Sequence, residues 1–306
     1  MICIGGENLV DLVEVDTHDG LPRFKAIPGG SPFNCALALG RLGVQPHYLT
    51  PISTDAMGDL IEAELKRSGV NIASSRVESP SSLAVVSINN GQPSYQFYRD
   101  NTAERQVTME SLEKSLPALP GIFQVGSLAL CDGDDADCWA DLFVSLANQG
   151  TYCTLDPNVR PSFVQDRPRY MARLERMIAR ASLVKISDED LGWLYPDADL
   201  ETKARELLEC SDAEVLVLTR GSQGALMMTA EATVTVPAKK IARLADTVGA
   251  GDTFMAALIY KLHENRGTLD ANALAGIGTF AAKAAAINCM RVGCNPPTPD
   301  EIQAWV

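Results

Sequence analysis

No stretch of the 306-residue chain holds the roughly 18–20 consecutive apolar residues that cross a bilayer. There is no cluster of Lys or Arg, and 26 basic against 39 acidic residues leave a net charge of −13. A chain of that sign repels phosphate polymers, so nucleic acids and anionic membrane surfaces are excluded as partners. The opening residues, Met1-Ile2-Cys3-Ile4-Gly5-Gly6-Glu7, have no basic segment and do not read as a secretory signal. None of the eight cysteines forms a C-x-x-C pair, and His18, His47 and His263 stand apart from them and from one another. That excludes the common zinc patterns and fits buried, reduced thiols in a cytoplasmic protein. Internal repeats, low-complexity segments and linkers are also missing.

What is present is a globular composition, 46% hydrophobic and 21% charged, in a chain long enough for a large core. Short β-rich runs alternate with helical spacings. Strands are expected at Ile2–Gly5, His47–Pro51, Ile122–Gly126, Thr151–Leu155, Leu183–Ile186 and Glu214–Thr219. Helices are expected at Ser31–Leu42, Met57–Ser68, about Asp134–Asn148, around Pro168–Ala181, at Asp188–Tyr195 and Leu200–Glu209, and at Ala250–Glu264 and Asp270–Met290. Such βα alternation predicts a doubly wound, mostly parallel sheet with helices on both faces. Two segments, about 9–28 and 82–99, lack helical signals. The second carries Asn90-Gly91 between β-rich flanks, the signature of a hairpin turn. Together they suggest a small β-sheet lid on a single domain spanning residues 1–306.

The sharpest chemical signal is Asp246-Thr247-Val248-Gly249-Ala250-Gly251-Asp252 at the start of an expected helix. Small residues there let backbone N–H groups converge on one point, where the helix dipole favours an anion. Asp252, in the first turn, suits a general base better than an anion ligand, because two anions repel. Amides that hold a phosphoryl group and an acid that takes a hydroxyl proton make phosphoryl transfer the fitting chemistry. Read on the glycines alone, an ordinary capped helix with a Gly-rich approach is the better fit. A dinucleotide-binding turn fits poorly, since it wants Gly or Ala where Phe254 stands and a place after the first strand. The chain has no Gly-Lys-Ser/Thr phosphate loop.

The segment from Asp246 to Asp252 resembles the D-T-x-G-A-G-D signature of the PfkB, or ribokinase-like, family of carbohydrate kinases at every fixed position. Gly29-Gly30-Ser31-Pro32-Phe33-Asn34, Tyr95-Gln96-Phe97-Tyr98-Arg99, Asp156-Pro157-Asn158-Val159-Arg160 and Thr219-Arg220-Gly221-Ser222-Gln223-Gly224 resemble further family blocks in the expected order. With Gly6-Glu7-Asn8-Leu9-Val10-Asp11, they look most like bacterial fructokinases. The resemblance implies a Rossmann-like α/β/α sandwich with a β-lid, and an ATP-dependent kinase using Mg²⁺. Asp252 would be the catalytic base, and Gly249, Ala250 and Gly251 the anion hole. Asp11, Gly30 and Asn34 would bind sugar hydroxyls, and Arg99 would reach sugar or phosphate from the lid. Asn158 and Arg160 would lie near the acceptor and the transferred phosphate. Thr219, Gly221 and Gly224 would border the nucleotide, with Asn288 near the adenine.

One block departs from the family. Many members carry N-x-x-E after the strand at Leu183–Ile186, and here Ser187 replaces the Asn and Asp190 the Glu. Magnesium contacts through water survive such a change, since the ion keeps several waters. Some members also hold potassium beside the anion hole; Asp246, Val248 and Gly293 are its expected neighbours. A fructokinase is therefore the leading expectation, followed by a 2-keto-3-deoxygluconate kinase and then a nucleoside kinase. A non-catalytic sugar or nucleotide sensor on the same fold is the rival of a different class. The expected partners are a small sugar, ATP and, as an open expectation, a second copy of the chain.

Overall fold

The computed structural model describes residues 1–18, 21–89, 92–265 and 267–305. The chain opens with β1 (Ile2–Ile4), the antiparallel pair β2 (Leu9–His18) and β3 (Leu21–Gly29), and α1 (Ser31–Arg41). Short strands β4 (His47–Tyr48), β5 (Ile52–Ser53), β6 (Asn71–Ile72) and β7 (Arg76–Val77) flank α2 (Ala56–Arg67). Next come β8 (Leu83–Asn89), β9 (Gln92–Tyr98) and α3 (Met109–Ser115). Alternation then becomes regular: β10 (Ile122–Gly126), α4 (Gly133–Asn148), β11 (Tyr152–Asp156), α5 (Arg167–Ile178) and β12 (Leu183–Ser187). The remainder is α6 (Asp188–Leu194), α7 (Leu200–Glu209), β13 (Val215–Thr219), β14 (Ala225–Met228), β15 (Thr233–Val236), α8 (Ala250–Glu264), α9 (Ala271–Cys289) and α10 (Pro299–Ala304).

Among the described residues the main sheet runs β15-β14-β13-β12-β11-β10-β1-β4-β6. From β6 to β13 the pairing is parallel, and β14 and β15 close one edge antiparallel. That antiparallel edge was not legible in the sequence, and the strand expected over His47–Pro51 shrinks to two residues. Pro51 has no N–H to extend the ladder.

Strand alternation divides the core in two. Phe123, Val125, Cys153, Leu155, Val184, Ile186, Leu216 and Leu218 pack toward α4 and α5, whereas Ile2, Ile4, Ile122, Leu183, Val215 and Val217 pack toward α1, α8 and α9. On the second face the alternation turns polar near the carboxyl ends of the strands, where Asp156 and Lys185 occupy it, both buried. No helix among the described residues is long and apolar enough to cross a membrane.

A second sheet, ordered β3-β2-β8-β9, occupies the two segments without helical signals. Strands β2 and β8 run parallel at its centre, with antiparallel β3 and β9 outside. The turn expected at Asn90-Gly91 lies outside the described residues; its flanks pair down to Asn89 and Gln92.

Candidate active site

Most helix starts here are closed by a side chain: Asp55 caps α2, Asp166 α5, Asp199 α7 and Asp270 α9, each accepting a backbone N–H of the first turn. Helix α8 differs. Its cap position is Gly249, in the left-handed region at φ 74°, with no side-chain cap. A Cβ at residue 249 would sit 2.6 Å from Cys294 Sγ, so glycine is required twice over. The Ala250 amide turns back onto the Thr247 carbonyl. The next amides, at Gly251 and Asp252, open the uncapped end, and Gly251 is exposed. Gly249, Ala250 and Gly251 thus frame a helix terminus suited to an anion.

Asp252 is 7% exposed. Its two oxygens are held from α1: Ser31 Oγ donates to Oδ1 at 2.6 Å and Asn34 Nδ2 to Oδ2 at 2.8 Å. Burial pushes its acidity toward higher pH, while the Ser31 and Asn34 bonds and the Lys185 and Arg160 charges pull it back. The result is an oriented carboxylate with enhanced proton affinity, the property a general base needs. Asn34 has its amide nitrogen on the base rather than on a ligand; its buried Oδ1 has no partner among the described residues.

Helix α1 is positioned by a residue that sequence reading passed over. Glu7, 1% exposed, accepts the Ser31 amide on Oε1 and the Ala129 amide on Oε2. Burial raises its pKa to about 7 against the pull of the Ser31 amide and of Arg99. Gly30, expected to touch sugar, has φ 112°, and a Cβ there would come within 2.9 Å of the Glu7 carbonyl. The close approach of β1's exit to α1 by itself demands glycine.

Asp11, on β2, pairs across the second sheet with Ile27 and Ala84. Its pKa is raised to about 6 by burial alone, and no hydrogen bond to its side chain is found among the described residues. Arg99 differs from its expectation as a lid cation. It is 5% exposed, and Nε and Nη2 donate to the Glu104 carboxylate at 2.9 and 3.2 Å. Glu104 also accepts from Ser82, so Arg99 ties the end of β9 to the start of β8. It borders a cavity of about 540 Å³ that also touches Phe97 and Phe163, whose rings meet edge to face at 4.6 Å.

Beyond β11, Asn158 adopts a left-handed φ of 39°, and exposed Arg160 donates to its Oδ1 at 2.6 Å. Lys185 Nζ donates to Asp156 Oδ2 at 2.6 Å, and neither residue was picked out from sequence. Ser187 and Asp190 form a reciprocal cap on α6. The Asp190 oxygens accept the Val159 and Ser187 amides, which explains why Ser and Asp work together here. Thr219 lies beside Ser187 in register, and Gly221 and Gly224 follow with φ of 50° and 90°. All stand at the carboxyl edge of the sheet, where ligands bind in open α/β folds.

Asn288, expected near the adenine, lies at the end of α9. It is fully buried, with Nδ2 on the Val248 carbonyl at 2.7 Å and Oδ1 accepting the Asn295 amide at 2.8 Å. Both ends of its amide are occupied, so it clamps the approach to α8. The residues expected around potassium do converge: Asp246 accepts the Val248 amide on Oδ1 and the Gly293 amide on Oδ2.

The model of the pfkB family of carbohydrate kinases matches residues 1–301. A fructokinase of Rhizobium leguminosarum bv. trifolii is 37% identical over 263 residues, covering 86% of this chain and 79% of its own. A fructokinase of Salmonella typhimurium is 27% identical, covering 96% and 94%. Among solved structures, the ATP-bound fructokinase of Xylella fastidiosa superposes with a TM-score of 0.86 at 25% identity, covering 99% and 97%.

Proposed function

From the premise that this chain belongs to the pfkB family of carbohydrate kinases, and so is a sugar kinase using ATP, we propose that its acceptor is D-fructose. The observation that carries the reading is Asp252, buried and held by Ser31 and Asn34 beside the open N-terminus of α8. The 37% identity to a bacterial fructokinase supports the choice of sugar.

In the proposed reaction, the open amides of Gly251 and Asp252, framed by the Gly249–Gly251 turn, hold the γ-phosphoryl group of ATP. Asp252 accepts the proton of the sugar hydroxyl as its oxygen bonds to phosphorus. The bond to the β–γ bridging oxygen breaks, and that oxygen leaves with ADP. A positioned base of this kind contributes ~10²–10⁴ in rate. In the same reading the second sheet acts as a lid, with Asp11 as an acceptor for a sugar hydroxyl, and excludes water that would otherwise take the phosphoryl group.

Magnesium on the nucleotide phosphates would neutralise developing charge. The Asp190 oxygens are engaged by two amides, so Ser187 and Asp190 would meet the ion through water. Potassium at the Asp246, Val248 and Gly293 junction belongs to the same proposal. Thr219, Gly221 and Gly224 would border the nucleotide.

An acidic sugar such as 2-keto-3-deoxygluconate needs a cation for its carboxylate. Glu104 already neutralises Arg99, which favours a neutral hexose. The test is ADP release from ATP and magnesium with fructose, ribose, ketodeoxygluconate and nucleosides in turn. Fructose is expected to give the highest kcat/KM. Silence with every acceptor would favour a sensor on the same fold.

A further inference from the structure

We propose that Lys185 is a phosphate-binding residue, its buried ammonium forming the floor of the anion hole under the transferred phosphoryl group. The proposal rests on the kinase reading above and deepens it. Lys185 is 4% exposed and lies on the sheet face covered by α1 and α8. A Cβ built on Gly251 would stand 3.6 Å from Nζ, so the ammonium abuts the glycine whose amide opens the anion site. An ammonium has three donors, and Asp156 Oδ2 accepts one of them at 2.6 Å. Asp156 Oδ1, also buried, has no partner among the described residues.

The surrounding charges explain why a cation is required there. Asp156 at the end of β11, Asp190 on α6 and Asp252 on α8 all act on Lys185. The thiol of Cys35 on α1 feels Asp252, Asp156 and Lys185, and Arg160 acts on Asp252 from the loop after β11. Three carboxylates beside an anion hole would repel a phosphate, and Lys185 offsets them from below while holding Asp252 ionised. Stability alone is a weak reason for the pair, because desolvating two charges cancels much of their attraction.

Lys185→Met alone would strand Asp156 as an unpaired buried carboxylate, so the decisive comparison is Asp156→Asn against Asp156→Asn with Lys185→Met. Calorimetry would measure the affinity of each for ADP and for the non-hydrolysable β,γ-imido analogue of ATP, with melting curves confirming that both fold. The lysine's loss should lower the analogue-to-ADP affinity ratio by about tenfold or more, with ADP affinity held within about twofold. In the kcat–pH profile, the acidic limb set by Asp252 should also move to higher pH. An affinity ratio unchanged within about twofold, or an unmoved limb, would overturn the assignment. Wild-type protein that releases no ADP with fructose overturns the fructose reading, and the binding ratio still decides Lys185.

Discussion

Ser31 Oγ donates a 2.6 Å hydrogen bond to Asp252 Oδ1 across 221 positions of sequence. That contact joins the start of α1 to the start of α8 and turns two unremarkable helix ends into one site. Asp252→Asn keeps the shape and loses the proton acceptor, so kcat should fall ~10²–10⁴ with the fold intact by circular dichroism. Ser31→Ala removes a bond that favours the ionised base. The acidic limb of its kcat–pH profile should therefore shift upward, measured against wild type in the same buffers.

Asp11 should make sugar affinity depend on pH. Its carboxyl titrates at about 6, and only the ionised form offers two acceptors to hydroxyls. Fructose KM should fall as pH rises through about 6, and Asp11→Asn should flatten that trend. Asp11→Ala should cost about 1.5–3 kcal/mol in transition-state binding, the scale of a hydrogen bond to a charged group. A KM independent of pH in the wild type would remove Asp11 from the sugar site.

Glu7 should shape stability rather than turnover. Its folded-state pKa is raised from 4.5 to about 7, so the native state binds its proton more tightly than the unfolded chain. The resulting stabilisation is complete below about 4.5 and is lost as pH rises through about 7. Between those limits the wild-type melting temperature should decline more steeply than that of Glu7→Gln. Parallel curves would show that Glu7 is ionised throughout.

Much of the architecture was legible because both chemistry and sheet burial restrict residue choice. The runs Ile122–Gly126 and Glu214–Thr219 are apolar enough that only buried strands suit them, and Gly249-Ala250-Gly251 admits little besides a crowded backbone turn. The edge strands β14 and β15 were not legible, being four residues each, too short for even the Thr-Val-Thr-Val alternation of β15 to stand out. Lys185 sits inside an apolar strand run, and its partner Asp156 is 29 positions away. Nothing local announces that alternation turns it under Gly251. Glu7 likewise acts through amides at Ser31 and Ala129, which leave no side-chain signature. Asn288 shows the converse limit, since a buried clamp and a nucleotide contact call for the same amide.

Arg99 offers a test of structure against expectation. Its pair with Glu104 is buried at 5% and 1% side-chain exposure, so Arg99→Met should leave an uncompensated carboxylate. Destabilisation of about 3–5 kcal/mol is expected, read by urea unfolding. A variant of unchanged stability that lost turnover would return Arg99 to the role of a substrate ligand.

The central claim is that this site phosphorylates a neutral hexose, and direct competition tests it most closely. D-Fructose and 2-keto-3-deoxygluconate would be offered together at equal concentration with ATP and magnesium, and both phosphorylated products quantified. Fructose phosphate should dominate, and Asp252→Asn should suppress its formation. A tenfold or greater preference for the acid sugar, on the order of 1.4 kcal/mol in kcat/KM, would contradict the account and establish the acid-sugar kinase in its place.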